Sequence, residues 1–167
     1  IFAQLFHLLQ AVLPVVQHYQ ILPYLEYDPA DIPIFIGTFA FGPLAGLILT
    51  IIVSIIQGVT VSAGSQIWGI IMHIMATGSF AIVAGLIYKV KKTRKGAAIA
   101  ILIGILVMVA VMCIANIIIT PIYTGMPRKA VMALIPTAIL PFNLIKAGIN
   151  GVVTFILYKK ISKFLHK

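Results

Sequence analysis

Four polar side chains recur at helical spacing within an apolar stretch near the end of the sequence. In LPFNLIKAGINGVVT, residues 140–154, they are separated by three, four and four positions, which places them on one face of a helix: Asn143, Lys146, Asn150 and Thr154. A lysine inside a membrane span costs roughly 2.5–3.5 kcal/mol on insertion scales, so it usually faces protein or a water-filled cavity. The pattern predicts a polar binding surface, although Lys146 could also pair with a neighbour's carbonyls or extend to the membrane surface.

The acidic residues lie far from this face in the sequence. All three fall within EYDPADIP: Glu26, Asp28 and Asp31. We interpret this stretch as a solvated loop outside the membrane, and we expect Asp31 to cap the following helix, because Asp accepts hydrogen bonds from the free amides of a helix start. With no acid predicted in any span to neutralise Lys146, a ligand is expected to supply the electron-rich acceptor.

Other polar and aromatic residues interrupt the apolar stretches singly. Asn116 could line a pocket together with Asn143, or it could join two helices by a hydrogen bond. Trp68 is the only tryptophan, and it is expected to anchor at the membrane interface, with stacking on a planar ligand as the alternative. Gln57 could donate a hydrogen bond in the same outer region. We interpret His73 as a buried, hydrogen-bonded histidine and not as a ligand or proton relay.

The sequence lacks the residue patterns of an enzyme. It has no carboxylate pair in an apolar stretch and no glycine-rich phosphate loop, and Ser54 and Ser79 have no evident base. His7 and His18 are too isolated to suggest a metal site, and the single Cys113 cannot form an internal disulfide. We therefore predict a protein without catalytic activity, metal or cofactor.

Composition indicates that the solvent of this chain is a lipid bilayer. The sequence is 62% hydrophobic and only 9% charged, with a mean hydropathy of +1.16, whereas soluble domains are about 25% charged. The net charge of +9 does not indicate nucleic acid, because the basic residues flank apolar stretches. We expect one integral membrane domain over 1–167, whose first helix is truncated because the sequence begins at Ile1 inside an apolar stretch.

Six apolar stretches predict six membrane helices. They cover roughly 1–16, 31–41, 43–58, 67–88, 97–121 and 138–161. The second is too short to cross a bilayer alone, which takes about 20 residues. Gly42-Pro43 is expected to break the chain after it, because proline lacks a backbone donor and disfavours helix in the residue before it. Gly42 and Gly46 also form a small-residue pair suited to close helix contact.

The basic residues predict the orientation in the membrane. Five lie between the fourth and fifth stretches and four follow the sixth: Lys89, Lys91, Lys92, Arg94, Lys95, Lys159, Lys160, Lys163 and Lys167. Cytoplasmic loops are enriched in Lys and Arg, so both groups and both termini are predicted to be cytoplasmic. Three connections then lie outside, at 17–31, 58–66 and 122–137. They contain Arg128 and Lys129, two basic residues against the nine on the cytoplasmic side.

Two motifs carry a resemblance to a known family. DIPIFIGTFAFGPLAGLI (31–48) and ILPFNLIKAGIN (139–150) resemble the substrate-binding S component of energy-coupling-factor (ECF) vitamin transporters, most closely the riboflavin-specific member. The resemblance implies an all-α membrane protein with six transmembrane helices, a short second helix, and an outer loop after helix one that covers a ligand pocket. It also implies a prokaryotic plasma (inner) membrane location.

The resemblance further implies a site and partners. Polar residues of helices five and six contact the flavin ring in the riboflavin member; by motif these are Asn116, Asn143 and Lys146. Loop positions near Tyr27 to Ile34, among them Asp31 and Ile32, would cover the ligand, and we add Gln57 and Trp68 to this predicted binding set. Riboflavin would be the transported ligand and not a cofactor. A membrane T component with two ATP-hydrolysing subunits would drive import.

Several alternatives stay open. The chain could bind another vitamin, such as thiamine or a pantothenate-like molecule, or the phosphate ester FMN. It could also be a structural membrane protein without a ligand. Family members often carry Ala-x-x-x-Ala on helix one for docking to the T component, but here Ala3 is followed four positions later by His7. Docking would then use a segment before Ile1 or small residues such as Gly42 and Gly46.

Overall fold

The part of the chain that can be described is helical almost throughout. The computed structural model describes residues 29–60 and 66–165 of the 167-residue chain. Its elements are α1 (Asp31–Phe41), α2 (Pro43–Thr60), α3 (Gln66–Val90), α4 (Arg94–Thr124), α5 (Arg128–Leu134), a π-helical turn (Ile135–Ile139) and α6 (Leu140–Leu165). The first helix predicted at 1–16, and most of the connection after it, lie outside the described residues.

The predicted short helix and the break after it are confirmed. α1 has 11 residues, and Gly42 ends it with φ at 95°, a backbone conformation that favours glycine. The Gly42 N–H donates to Thr38 O at 2.9 Å, and Pro43 then begins α2, where its missing N–H costs nothing. Gly42 therefore lies at the break and not on one helical face with Gly46, so the predicted small-residue pair is wrong.

Four helical segments of the described ranges are long and apolar enough to cross a bilayer. They comprise Pro43–Thr60 (18 residues), Ile67–Val90 (24), Arg94–Thr124 (31) and the continuous segment Arg128–Tyr158 (31). A span takes about 20 residues. The membrane class predicted from composition is confirmed for this part of the chain.

The stretch predicted as a connection at 122–137 is mostly helical, and that prediction is wrong. Gly125 ends α4 with φ at 73°, and α5 already begins at Arg128. Pro127 precedes the first turn of α5, where no N–H is needed. Pro136 and Pro141 cannot donate to carbonyls four residues earlier, and the wider π-helical turn between α5 and α6 accommodates this loss.

α1 lies in the interior and packs against α2, α3 and α6. Phe35 of α1 stacks on Phe80 of α3 with ring centroids 3.6 Å apart, and both side chains are fully buried. Further along, Phe39 contacts Tyr88 of α3 and Tyr158 of α6, and the two tyrosine hydroxyls are hydrogen-bonded. These tyrosines lie near the end of the bundle where α3 meets α4, which we call the basic end because Lys89 to Lys95 are there.

The buried residues of α2 form one stripe. They recur every four positions: Gly46, Thr50 and Ser54. Leu49 and Val53 beside them pack against the core. Large apolar side chains on another part of its surface, such as Ile52, are exposed. A helix in water would bury such residues, so this surface fits contact with lipid.

Gly85 provides a test of the packing between α2 and α3. A Cβ at this position would lie 2.8 Å from both Cα and Cβ of Pro43, so the start of α2 would have to shift. We expect Gly85→Ala to lower the free energy of unfolding by about 1–3 kcal/mol, as overpacking does. Thermal unfolding in detergent micelles measures this loss.

The matched control is Gly148→Ala, where a Cβ would meet no atom within 4 Å. A helical Gly→Ala change at an open site is neutral or stabilises by roughly 0.5–1 kcal/mol. Equal unfolding temperatures for the two variants would contradict the close approach of Gly85 to Pro43.

Candidate functional site

The predicted polar face of α6 is turned toward the interior. Asn150 and Thr154 are fully buried and Asn143 is 6% exposed, while Lys146 is partly buried. The apolar residues on the other side of this helix, including Ile145 and Val152, are exposed. The reading from spacing alone, that the four polar residues share one inward face, is confirmed.

Lys146 lacks a counter-charge in the described part of the chain. Within residues 29–60 and 67–158, no carboxylate lies within ion-pair distance of its ammonium and no carbonyl accepts from it. Pairing with neighbouring carbonyls, the structural alternative for Lys146, is therefore not seen in these ranges. A partly buried ammonium has three donors to satisfy, and this arrangement suits an external acceptor.

Asn143 lies one turn beyond the π-helical turn. Its Nδ2 donates to Ile139 O at 2.8 Å, and Ile139 is the last residue of that turn. One bond uses half of the donor capacity of the carboxamide, which leaves a second N–H and the oxygen for another partner. π-Helical turns within α-helices are frequent at functional sites.

Asn116 is fully buried in α4, and its hydrogen bonds stay within that helix. Its Nδ2 donates to Met112 O at 2.9 Å, and its Oδ1 accepts from Thr120 Oγ1 at 2.9 Å. The interhelical bond considered for Asn116 is thus not formed among the described residues. The structure does not bring Asn116 into hydrogen-bond contact with Asn143 or Lys146, so any common role needs a ligand between them.

Asp31 is the main correction to the sequence reading. It does not cap α1, since Ala30 holds the capping position without a side-chain bond, and it is not solvated, since it is 0% exposed. Its carboxylate reaches two other helices: Oδ1 accepts from Thr77 Oγ1 at 2.7 Å, and Oδ2 accepts from Asn150 Nδ2 at 3.2 Å. A buried carboxylate needs such donors, because burial without them costs several kcal/mol.

His73 extends this polar group toward α2. Its Nε2 lies 3.2 Å from Asp31 Oδ1, without the alignment of a linear hydrogen bond, and its Nδ1 is 2.6 Å from Ser54 Oγ. Ser54 Oγ also lies 2.6 Å from Thr50 O. His73 is thus mostly buried, at 14% exposed, and hydrogen-bonded through Nδ1, which agrees in part with the expectation from the sequence. Ser54, which has no evident partner in the sequence, lies beside this ring.

The carboxylate of Asp31 lies far from either end of the bundle. Thr77 is 11 residues into the 25-residue helix α3, which places Asp31 roughly 17 Å along a helix about 37 Å long, at 1.5 Å per residue. α1 therefore begins near the middle of the length of α3 and runs toward the basic end.

The remaining residues of the predicted binding set are scattered. Ile34 is 1% exposed and belongs to the apolar core, while Ile32 and Gln57 are partly buried. Trp68 packs on a small cluster that includes Ala115, the neighbour of Asn116, so these two predicted residues lie at the same end of the bundle. Tyr27 lies outside the described residues.

Comparison with known proteins identifies the family. Residues 5–158 match the family model described as ECF transporter, substrate-specific component. The chain belongs to this family. A solved structure titled "Structure and mechanism of the S component of a bacterial ECF transporter" superposes with a TM-score of 0.76 at 30% identity, over 96% of this chain and 95% of that one.

Two relatives of this S component carry names that include a ligand. The riboflavin transporter RibU of Staphylococcus aureus (strain TCH60) is 32% identical over 151 residues, which are 87% of this chain and 79% of the relative. The riboflavin transporter FmnP of Bacillus subtilis (strain 168) is 28% identical over 153 residues, 86% of this chain and 80% of the relative. The resemblance drawn from the two motifs is confirmed at the level of the family.

The sequence did not predict three residues of the polar group around Asp31 as site residues: Ser54, His73 and Thr77. His73 and Thr77 are four residues apart, so they share a face of α3, and this spacing was the signal available. This spacing does not identify Asp31 as the partner of His73 and Thr77, because the sequence predicts that Asp31 lies in a solvated loop.

Thr77→Val tests the donor that Asp31 receives from α3. Valine keeps the shape and removes the hydroxyl, so one buried carboxylate oxygen loses a hydrogen bond, and we expect unfolding to become easier by about 1–3 kcal/mol. Ser79→Ala is the matched control on the same helix, because Ser79 bonds only its own helix at Ala76 O and should change stability by no more than about 0.5 kcal/mol. A Thr77→Val protein as stable as Ser79→Ala in detergent would contradict the network.

Proposed function

We propose that this S component is the riboflavin-binding subunit of an ECF-type uptake transporter and presents the vitamin for ATP-driven import by partner subunits. The observation that carries the proposal is the inward face of α6. There the ammonium of Lys146 has no carboxylate partner within the described ranges, and Asn143 retains its second N–H and its oxygen for a ligand. The names of the two relatives support riboflavin as the ligand.

The chemistry of this face suits a flavin ring. An isoalloxazine has apolar faces and one edge of carbonyls and ring nitrogens, so it fits a dry pocket with a few fixed polar groups. The carboxamides of Asn116 and Asn143 and the ammonium of Lys146 would bond that edge. The ammonium supplies the charge that the electron-rich side of the ring attracts.

The short α1 leaves room for the ligand. Its 11 residues rise roughly 16 Å, whereas the hydrocarbon core is about 30 Å thick. α1 does not extend from Asp31 toward the end of the bundle opposite the basic end, so the space there must be filled by another group. The chain preceding Pro29 and the bound vitamin are our proposed occupants, with Tyr27 and Ile32 at the cover, whereas Asp31 is held beneath them by Thr77 and Asn150.

The proposed assembly follows the family. The stretch at 1–16 would complete six membrane helices, both termini and the basic end would face the cytoplasm of a prokaryotic cell, and riboflavin would enter from outside. A T component and two ATPase subunits would supply the energy, so the S component itself needs neither catalysis nor a cofactor. Gly46 does not suit T-component docking, because α1 covers it through Thr38. Of the docking surfaces considered, a segment before Ile1 and Gly42 remain, and an added Cβ at Gly42 would meet no atom within 4 Å.

FMN is the second candidate ligand. Arg128 and Lys129 begin α5 with exposed side chains and could accept a phosphate. A competition panel of riboflavin, FMN, thiamine and pantothenate distinguishes the ligands: riboflavin should displace bound flavin most strongly. Stronger displacement by FMN, together with its loss in Lys129→Met, would favour the phosphate ester.

Lys146→Met tests the ammonium in the site. Purified protein should quench riboflavin fluorescence at one ligand per chain, and loss of a charge-assisted hydrogen bond should weaken binding by about 1.5–3 kcal/mol, or roughly 10- to 150-fold. Lys91→Met, an exposed lysine in the connection at the basic end, is the control and should bind as the unchanged protein does. Equal affinities for the two variants would remove Lys146 from the site.

Ligand-linked stability separates transport from a purely structural role. At a riboflavin concentration a hundredfold above the dissociation constant, mass action stabilises the folded state by about 2.7 kcal/mol. We therefore expect a rise in unfolding temperature that grows with riboflavin concentration. An unfolding temperature unaffected by any compound of the panel would support the ligand-free structural protein instead.

A further inference from the structure

We infer that Asp31 and His73 form a buried ion pair that positions α1 and the polar face of α6 for ligand binding. The inference rests on the proposed function for its ligand, but the charge state of the pair can be tested without one. Asp31 and His73 act as positioning residues here, because their contacts are to protein groups on neighbouring helices.

The order of donors and acceptors along the network places a proton on each nitrogen of His73. Thr50 O can only accept, and at 2.6 Å it needs the hydroxyl proton of Ser54. Ser54 Oγ must then accept from His73 Nδ1, also at 2.6 Å, so Nδ1 carries a proton. Nε2 lies 3.2 Å from Asp31 Oδ1, without the alignment of a linear hydrogen bond, and an ionised carboxylate is attracted to this nitrogen only if it carries a proton as well. A ring protonated at both nitrogens is an imidazolium.

The contacts of Asp31 are those of a hydrogen-bond acceptor. Oδ1 accepts from Thr77 at 2.7 Å and Oδ2 accepts from Asn150 at 3.2 Å, while His73 Nε2 lies 3.2 Å from Oδ1 without forming an aligned hydrogen bond. Asp31 also occupies the first turn of α1, where the helix dipole favours negative charge. A pair of ionised Asp31 and the His73 imidazolium carries no net charge. Charged groups within membrane spans are usually paired in this way.

Few other charges face the pair from the helices packed around it. α2 presents the hydroxyl of Ser54, α3 presents His73 itself and Thr77, and α6 presents Asn150. The other cation on this side is Lys146, one helical turn before Asn150, and it forms no ion pair with Asp31. His73 is thus the group that balances the carboxylate, and the ammonium of Lys146 is left for the ligand.

The pair can position the site because one carboxylate joins three helices. It holds the first turn of α1 to α3 through Thr77 and to α6 through Asn150. Asn150 shares its face of α6 with Asn143 and Lys146, so this bond fixes the rotation of α6 that aims both groups inward.

Imidazole ¹⁵N NMR tests the charge state directly. The chain has four histidines, and the His73 signals are those missing from a His73→Gln spectrum. At about pH 8, where an unperturbed histidine is neutral, we expect both His73 nitrogens to resonate as protonated. One protonated and one bare nitrogen at that pH would overturn the ion pair.

Charge-matched variants test the positioning role. Asp31→Asn and His73→Gln each leave the other partner without its counter-charge, and each should weaken riboflavin binding at least tenfold. Asn and Gln can hydrogen-bond to one another without charge, so the double variant should recover part of the lost affinity. Ser79→Ala, outside the network on α3, is the control with unchanged binding. A double variant that binds no better than the weaker single variant would overturn the positioning role.

The two proposals fail in different ways. If the unchanged protein does not bind riboflavin yet shows a doubly protonated His73, the ligand assignment is wrong and the ion pair stands. The rescue experiment is then repeated with thermal stability in place of affinity. If riboflavin binds tightly while His73 is neutral, the ligand assignment stands and this inference is wrong.

Discussion

The carboxylate of Asp31, buried midway along the helices, is the constraint around which the described structure is arranged. A carboxylate in an apolar interior needs donors, and Thr77 and Asn150 supply them while His73 lies within ion-pair distance. These residues belong to α3 and α6, which are thereby tied to the start of α1. In a bilayer the hydrophobic effect does little to hold one helix against another, so specific contacts of this kind carry the association of helices.

A second charge, Lys146, is placed differently. Asp31 receives hydrogen bonds from Thr77 and Asn150, whereas the ammonium of Lys146 lacks a partner in the described ranges and shares a face of α6 with Asn143. The charge of Asp31 is met by protein groups, whereas the charge of Lys146 is available to a ligand. This contrast separates the groups that build the bundle from those that bind, and it fits a family whose members carry substrates.

Features set by neighbouring residues could be predicted from the sequence, and features set by distant ones could not. The bounds of α1 and its break at Gly42 follow from glycine and proline chemistry within a few residues, and the inward face of α6 follows from its three- and four-residue spacing. The burial of Asp31 depends on Thr77 and Asn150, which are 46 and 119 positions away. Nothing near Asp31 in the sequence distinguishes such an anchor from a cap. The helical residues 128–137 were predicted as a connection because prolines ordinarily mark a loop, whereas a π-helical turn tolerates them.

The stripe of small residues on α2 has a practical consequence. Gly46, Thr50 and Ser54 are buried, whereas aliphatic side chains on another part of the helix, such as Ile52, are exposed among the described residues. Ile52 can therefore be exchanged for a residue that carries a nitroxide or fluorophore, and the label would lie away from the interior that the described residues form.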